Sequence, residues 1–176
     1  MSVKYIGDTH LFDNYALEWR PQYTTMDDYA DLLIRKWNER TSPDDTVIHV
    51  GDIGLYCKKT LEVMHELNGH LVLVLGNHDI EWGDKVYTCG LFQGVFRYIT
   101  QKGLYICHKP DAEVAKDTYY IHGHHHTYAT LNMQVAWQSY IQDAYRLNCA
   151  ADLIGNRPLT LNELIVCKEE LILNGR

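Results

Sequence analysis

Three short apolar segments in the first half of the chain each run directly into a cluster of polar side chains. Residues 3–7 lead into Asp8-Thr9-His10, residues 46–50 into Gly51-Asp52, and residues 70–75 into Gly76-Asn77-His78-Asp79. Apolar runs of this length are typical of strands that are covered on both faces. The sequence therefore predicts a buried sheet whose strands end in loops rich in aspartate, asparagine and histidine.

Helical patterns connect these apolar segments. From Met26 onward apolar residues recur at helical spacing, and Thr25 with Asp28 forms a capping-box pattern at the start. A second helix is predicted over residues 59–68, with Gly69 just past its end. Strands that alternate with helices indicate a β-α-β-α-β unit with a partly parallel sheet, and ligands collect at the carboxyl ends of such strands.

The second half of the chain adds shorter strands and most of the histidines. Residues 95–100 and 104–107 are predicted to pair as a hairpin, and residues 119–122 and 145–149 to form further strands. Residues 127–148 otherwise carry the weakest pattern. A second capping-box pattern, Thr160 with Glu163, opens a short final helix. Since no repeat, low-complexity tract or linker interrupts the chain, residues 1–176 are predicted to form a single domain.

Composition narrows the class of protein. The chain has a formal net charge of -7 and no cluster of lysines and arginines, which disfavours a grip on long duplex nucleic acid. The longest strictly aliphatic run, residues 71–75, is far shorter than the ~20 residues that span a bilayer. The first residues do not resemble a signal peptide, and the five cysteines include no C-x-x-C pair. We therefore expect a cytoplasmic protein without a membrane partner.

Seven side chains are candidate metal ligands: Asp8, His10, Asp52, Asn77, His108, His124 and His126. Oxygen and imidazole ligands together suit Mn, Fe, Zn, Co or Ni, whereas calcium prefers oxygen alone. Seven ligands exceed what one ion with open positions needs, but they suit two ions that share a bridging carboxylate. Two divalent ions against two carboxylates leave the pocket positive, which favours a phosphate ester as substrate.

The order Asp8-x-His10, Gly51-Asp52, Gly76-Asn77-His78-Asp79, His108 and Gly123-His124-x-His126 resembles the calcineurin-like metallophosphoesterase superfamily over nearly the whole chain. Residues 19–52 and 146–165 are similar to the corresponding stretches of small, single-domain bacterial and phage phosphoesterases. The resemblance implies an α/β fold, a four-layer αββα sandwich of two mixed sheets flanked by helices.

The resemblance also implies roles for the candidate ligands. Asp8, His10, Asp52 and His126 would hold the first ion, Asp52 would bridge, and Asn77, His108 and His124 would complete the second site. The catalytic pair would be Asp52 and His78, with His78 protonating the leaving oxygen or binding the phosphoryl group while a hydroxide that bridges the ions attacks. Manganese is the expected metal, with Fe, Zn, Co or Ni as alternatives.

The predicted activity is hydrolysis of a phosphodiester in a small or nucleotide-like substrate. Alternatives are a phosphomonoesterase, a nuclease for short single strands, and a scaffold without catalysis. The segment after Gly51-Asp52 lacks the arginine of serine/threonine phosphatases, which disfavours that branch. Asp13 stands where related small phosphoesterases often carry a second histidine, so its role stays open.

Several neighbouring residues have two interpretations. The loop residues Tyr15, Trp19, Arg20 and Tyr23 form either a substrate wall or lid packing, and Asp79 either orients His78 or caps a turn. His49 is expected to face a hydrogen-bond partner rather than a metal, whereas His122 is expected to support the ligands and Lys109 to lie near the substrate.

Overall fold

The computed structural model describes residues 1–126 and 140–173, in which two four-stranded sheets are flanked by helices. The first sheet consists of β1 (Val3–Ile6), β2 (Thr46–His49), β3 (His70–Val74) and β4 (Gly94–Phe96), all paired in parallel. The second consists of β5 (Tyr98–Gln101), β6 (Leu104–Cys107), β7 (Tyr119–His122) and β8 (Arg146–Asn148), and only the β5–β6 pair is antiparallel. The predicted sandwich of two sheets is confirmed.

The helices are α1 (Met26–Arg40), α2 (Lys58–Glu66), α3 (Lys85–Thr88) and α4 (Leu161–Leu173), with 3-10 turns at Asn14–Glu18 and Asp79–Trp82. Both predicted capping boxes are present. The Thr25 hydroxyl accepts from the Asp28 amide at 3.1 Å, and the Asp28 carboxylate accepts from the Thr25 amide at 3.0 Å. Thr160 and Glu163 make the same reciprocal pair at the start of α4. Among the described residues, no helix is long and apolar enough to cross a membrane.

One continuous apolar core joins the two sheets. Ile6, Val47 and Leu73 from the first sheet and Ile106 and Ile121 from the second are fully buried members of the same cluster. Each such side chain contributes about 1.5–3 kcal/mol through removal of apolar surface from water. The α1 stripe of Met26, Tyr29, Leu33 and Trp37 is buried in this core as its spacing predicted.

The predicted hairpin of residues 95–100 with 104–107 is only half correct. The chain crosses between sheets near Arg97, so β4 ends the first sheet beside β3 while β5 alone forms the hairpin with β6. A run of alternating residues does not specify which strand it pairs with, because its partners lie elsewhere in the sequence. The weakly patterned residues 127–139 lie outside the described part of the chain.

The second helix ends earlier than predicted, at Glu66 rather than at residue 68. Side chains of α1 bind both backbone groups of Asn68, including the amide that a longer helix would bond to its own preceding turn. The Trp37 indole donates to the Asn68 carbonyl at 2.9 Å, and the Asn68 amide donates to the Asn38 side chain at 2.8 Å. The contact between helices therefore sets this end, with Gly69 at φ 101° just beyond it.

Candidate metal centre

The loops that follow the strands meet at one edge of the two sheets. Backbone hydrogen bonds tie them together: the Asp8 amide donates to the Gly51 carbonyl at 2.8 Å, and the His10 amide donates to the Asp52 carbonyl at 3.1 Å. The Gly123 amide donates to the His108 carbonyl at 3.1 Å, which joins the loops of the second sheet. The site therefore forms where the carboxyl ends of strands from both sheets lie close together.

The candidate ligands form two groups of three. Asp8, His10 and His126 make the first group, and Asp52, His108 and His124 make the second. Within each group the ligand atoms lie within 4.8 Å of one another. Both groups combine a carboxylate with two imidazoles, which is a donor set that fits divalent ions of the first transition row and zinc.

Asp52 faces both groups, and Asn77 lies beside the second. One Asp52 oxygen, Oδ2, lies 3.2 Å from His108 Nε2 and 3.8 Å from His10 Nε2, so it faces both groups at once. The Asn77 amide oxygen lies 3.1 Å from His108 Nε2, beside the second group. The structure thus brings together all seven residues that the sequence singled out.

The surroundings of His10 indicate whether this site fits a metal ion. Its side chain is buried, and neither ring nitrogen has a hydrogen-bond partner among the described residues. A buried nitrogen without a partner costs about 1–3 kcal/mol, which ligation of an ion would offset. Burial, followed by the charge of His126, lowers the pKa of His10 to about 3, so its ring is neutral and can donate a lone pair. The residues therefore fit a pair of divalent ions.

The electrostatics of the two carboxylates differ. Burial raises the pKa of Asp8 to about 6. Burial also opposes ionisation of Asp52, but the hydrogen bond and charge of His108 outweigh it and hold the pKa of Asp52 below its ordinary value. Burial lowers the pKa of His108, but the Asp52 hydrogen bond and the Asp8 charge reverse that effect and raise it to about 9. A divalent ion at this site would displace the His108 proton.

Backbone strain is concentrated at the candidate ligands. Asp8, His10, Asp52 and His124 have positive φ angles of 55°, 45°, 56° and 69°. This conformation costs an ordinary residue roughly 1–2 kcal/mol, and it persists where the surroundings enforce it. Gly123 allows the Asp8 carboxylate to approach the backbone closely, because a Cβ at that position would lie 2.1 Å from Asp8 Oδ2. Such strain is typical of functional sites.

Asp79 braces the loops beneath the second group. Its Oδ2 accepts hydrogen bonds from the amides of Asp52 and Gly76, both at 2.8 Å, and its Oδ1 accepts from the Ile53 amide at 2.9 Å. Its side chain therefore holds the loops after β2 and β3 together. This role differs from the two that the sequence suggested, orientation of the His78 ring and capping of a turn. His78 is positioned instead through its backbone amide, which donates to Asp52 Oδ1 at 2.9 Å.

Arg20 supports the site from below and does not form a substrate wall. Its guanidinium is fully buried, donates to the carbonyls of Thr9 at 2.9 Å and Asp8 at 2.5 Å, and lies over the Tyr29 ring. Trp19 packs against the candidate ligands, with its ring 5.1 Å from that of His126 and 5.7 Å from that of His10. No local pattern in the sequence predicts that Arg20 faces inward.

Two further histidines lie behind the site. His49 Nε2 lies 3.0 Å from the Thr9 hydroxyl, which donates to the Ile53 carbonyl at 2.8 Å, so His49 has the hydrogen-bond partner expected of it. His122 is buried, and its Nδ1 donates to the Gly123 carbonyl at 2.8 Å. Burial lowers the pKa of each ring to about 3. Both are therefore neutral residues of the wall behind the ligands.

Asp152 was missed by the sequence reasoning, because it lies 26 positions from its partner in the chain. Its Oδ1 lies 3.0 Å from His126 Nδ1, which leaves His126 Nε2 facing Asp8. A carboxylate behind a histidine ligand fixes the ring orientation and makes the ring a stronger donor.

We expect Asp152→Ala to weaken binding of a metal ion to Asp8, His10 and His126 by about 10- to 100-fold, because the His126 ring loses its hydrogen-bond partner. Titration of the metal-free protein with Mn²⁺ in a calorimeter measures the change. Asp152→Asn, which keeps an acceptor oxygen, should recover part of the affinity. Equal affinities in the wild type and Asp152→Ala would show that Asp152 does not position a ligand.

Fold and site together define an α/β protein with two adjacent candidate groups of metal ligands at the carboxyl ends of its strands. Residues 1–137 match the calcineurin-like phosphoesterase superfamily domain, and the chain belongs to this family.

Two further proteins are similar to this chain over most of its length. The chain is 28% identical over 169 residues to the uncharacterized protein MJ1445 of Methanocaldococcus jannaschii, covering 91% of this chain and 87% of the relative. The crystal structure of AQ665 from Aquifex aeolicus, a protein of unknown function, superposes with a TM-score of 0.66 at 20% identity and covers 92% of this chain and 96% of that one. The structural similarity extends the fold assignment over most of the chain.

Proposed function

We propose that this protein is a metal-dependent phosphodiesterase that hydrolyses a small or nucleotide-like diester. The observation that carries the proposal is the position of Asp52, whose Oδ2 faces His10 of one ligand group and His108 of the other. A shared carboxylate suits a pair of ions, and paired ions are suited to displacement at phosphorus. The family membership supports the same reaction class.

The proposed ligands follow from the two groups. Asp8, His10, His126 and Asp52 would hold the first ion, and Asn77, His108 and His124 together with Asp52 would hold the second. Manganese is the metal that we propose, and Fe, Zn, Co or Ni would fit the same donors. Bound ions of this kind lower the pKa of water and offset the charge of the phosphoryl oxygens.

His78 is the proton donor in this proposal. Its ring centroid lies 5.2 Å from that of His10, at the border between the ligands and an open cavity. The hydrogen bond from its backbone to Asp52 holds it in place, and its ring is only partly buried. It can therefore donate a proton to the leaving oxygen or hydrogen-bond the phosphoryl group.

The charge of the cavity beside the candidate ligands favours a diester over a monoester. The cavity beside His10 and His78 is lined by no lysine or arginine among the described residues, but it contains Asp13 and Glu81. A monoester dianion carries one more negative charge than a diester and would gain no basic partner here. The net charge of -7 also disfavours long nucleic acid strands, although a short single strand would still fit as a diester.

A paired assay tests the proposed reaction. After elemental analysis of the purified protein, hydrolysis of bis(p-nitrophenyl) phosphate and p-nitrophenyl phosphate is measured with added manganese. We expect the diester to be hydrolysed with the higher kcat/KM. A preference for the monoester would contradict the diesterase assignment, and hydrolysis of neither ester would favour a scaffold without catalysis.

We expect His78→Ala to reduce kcat by about 10²-fold or more while both ions stay bound, because the variant loses a proton donor and no ligand. His65→Ala, at an exposed position of α2, is the matched control and should retain wild-type activity. Elemental analysis is performed on the same samples. Loss of metal from His78→Ala would show that His78 acts as a ligand.

A further inference from the structure

A cavity of about 300 Å³ opens directly beside the candidate centre. His10 and His78 form its border with the ligands, and its other walls come from Asp13, Gly54, Leu55, Tyr56, Glu81 and Trp82. This volume lies at the lower end of the range for small-molecule sites, so it suits a single ring-sized group. Because His78 also lines it, the cavity lies on the side from which the proposed proton donor acts.

The walls of the cavity are aromatic and well supported. Trp82 is buried, and its indole donates to the Gly54 carbonyl at 2.8 Å. The Tyr56 ring stands edge-to-face with Trp82 at 5.1 Å and remains 38% exposed. The Lys85 ammonium lies 4.5 Å from the centre of this ring, and the rest of its exposed surface is available to another ring or to a cation.

Two acids give the cavity its charge. Asp13 and Glu81 both line it, whereas no lysine or arginine does so in the described part of the chain. Asp13 is held in position, since its Oδ1 accepts from the Tyr15 amide at 3.1 Å. Two carboxylates repel an anionic group and favour a cation or a hydrogen-bond donor.

We infer that this cavity binds the leaving alcohol of the substrate, and that this alcohol carries a ring and no negative charge. The inference rests on the proposed phosphodiesterase function, which it extends to one side of the substrate. A nucleoside and a cationic ring-bearing alcohol both have the required chemistry. A leaving group that ends in a phosphate does not, because it would place an anion between Asp13 and Glu81.

Methyl aryl phosphates test this selectivity, since the aryl oxide is always the leaving group. Three such esters carry a para trimethylammonium, cyano or sulfonate group on phenols chosen to match in acidity. With manganese-loaded protein we expect kcat/KM for the cationic and neutral esters to exceed that for the sulfonate by about tenfold or more. Equal values, or a preference for the sulfonate, would overturn the inference.

Matched variants locate the selectivity in the cavity. The double variant Asp13→Asn with Glu81→Gln keeps the shape of the walls and removes both charges, so the preference over the sulfonate should fall to about twofold or less. The ratio for Glu81→Gln alone should lie between the ratios of the double variant and the wild type. A ratio is measured, so a general loss of metal or activity does not imitate the effect. An unchanged ratio in the double variant would show that Asp13 and Glu81 do not contact the leaving group.

Binding of the free phenols separates this inference from the proposed reaction. In calorimetric titrations of the manganese-loaded protein, the trimethylammonium phenol should bind and the sulfonate should bind about tenfold more weakly or not at all. Tyr56→Leu should weaken the cationic phenol by about tenfold. If no ester is hydrolysed but this pattern holds, only the reaction is wrong. If esters are hydrolysed but neither phenol responds to Tyr56→Leu, only the leaving-group site is wrong.

Discussion

Asp52→Asn is expected to lower kcat/KM by about 10³-fold and to weaken binding of both metal ions. The reason is the position of its Oδ2, 3.2 Å from His108 Nε2 and 3.8 Å from His10 Nε2, one histidine from each ligand group. The amide that replaces the carboxylate has the same shape but carries no charge. The two groups then share no anion, and two cations held close together repel each other.

Elemental analysis and a calorimetric titration with Mn²⁺ measure the metal content of Asp52→Asn, and hydrolysis of bis(p-nitrophenyl) phosphate measures its activity. Asp31→Asn, at an exposed position of α1, makes the same chemical change away from the site and should behave as the wild type. If Asp52→Asn lost one ion and kept the other at wild-type affinity, Asp52 would belong to a single ion and the shared carboxylate would be wrong.

Asp79→Asn is expected to lower the free energy of unfolding of the metal-free protein by roughly 2–4 kcal/mol. Its Oδ2 accepts two amide hydrogen bonds, from Asp52 and Gly76, in a fully buried position. If the new amide nitrogen takes that place, two backbone donors lose their acceptor and face another donor. If the side chain flips, the Ile53 amide loses its partner instead.

Urea denaturation without metal measures this loss, because it separates the stability of the loops from ligation. Asp84→Asn, five positions further along and exposed, should change the unfolding free energy by less than about 0.5 kcal/mol. We also expect Asp79→Asn to weaken metal binding at the second ligand group, since the loop that carries Asp52 loses a hydrogen bond that holds it. An unfolding free energy equal to that of the wild type would show that Asp79 does not hold these loops.

The sequence predicted the parts of this fold that depend on local pattern. The strands around Val3–Ile6, Thr46–His49 and His70–Val74 and the capped start of α1 follow from apolar runs and from side chains three residues apart. These features depend on neighbours in the chain, so one segment at a time is enough to recognise them. The crossing near Arg97 from one sheet to the other depends on distant partners, and the predicted hairpin was wrong there for that reason.

The same distinction holds for the candidate site. Asp8, Asp52, Asn77 and His108 could be identified because each follows an apolar strand, and the ends of neighbouring strands meet at one edge of a sheet. Arg20 and Asp152, which help to hold them, carried no such signal, and Asp79 was recognised in its motif without its role: a loop arginine, a turn aspartate and an aspartate after β8 are common in any sequence. Their roles are visible only as hydrogen bonds to segments far away in the chain.

The order of residues is enough to recognise which side chains are available for chemistry and the kind of ion that they suit, because donor type and position after a strand are local properties. The division of these side chains into two groups, the carboxylate that faces both groups, and the lining of the cavity beside them follow from the folded structure. Those properties are distances between residues that are remote in sequence, and distances of that kind are fixed when the two sheets pack around their shared core.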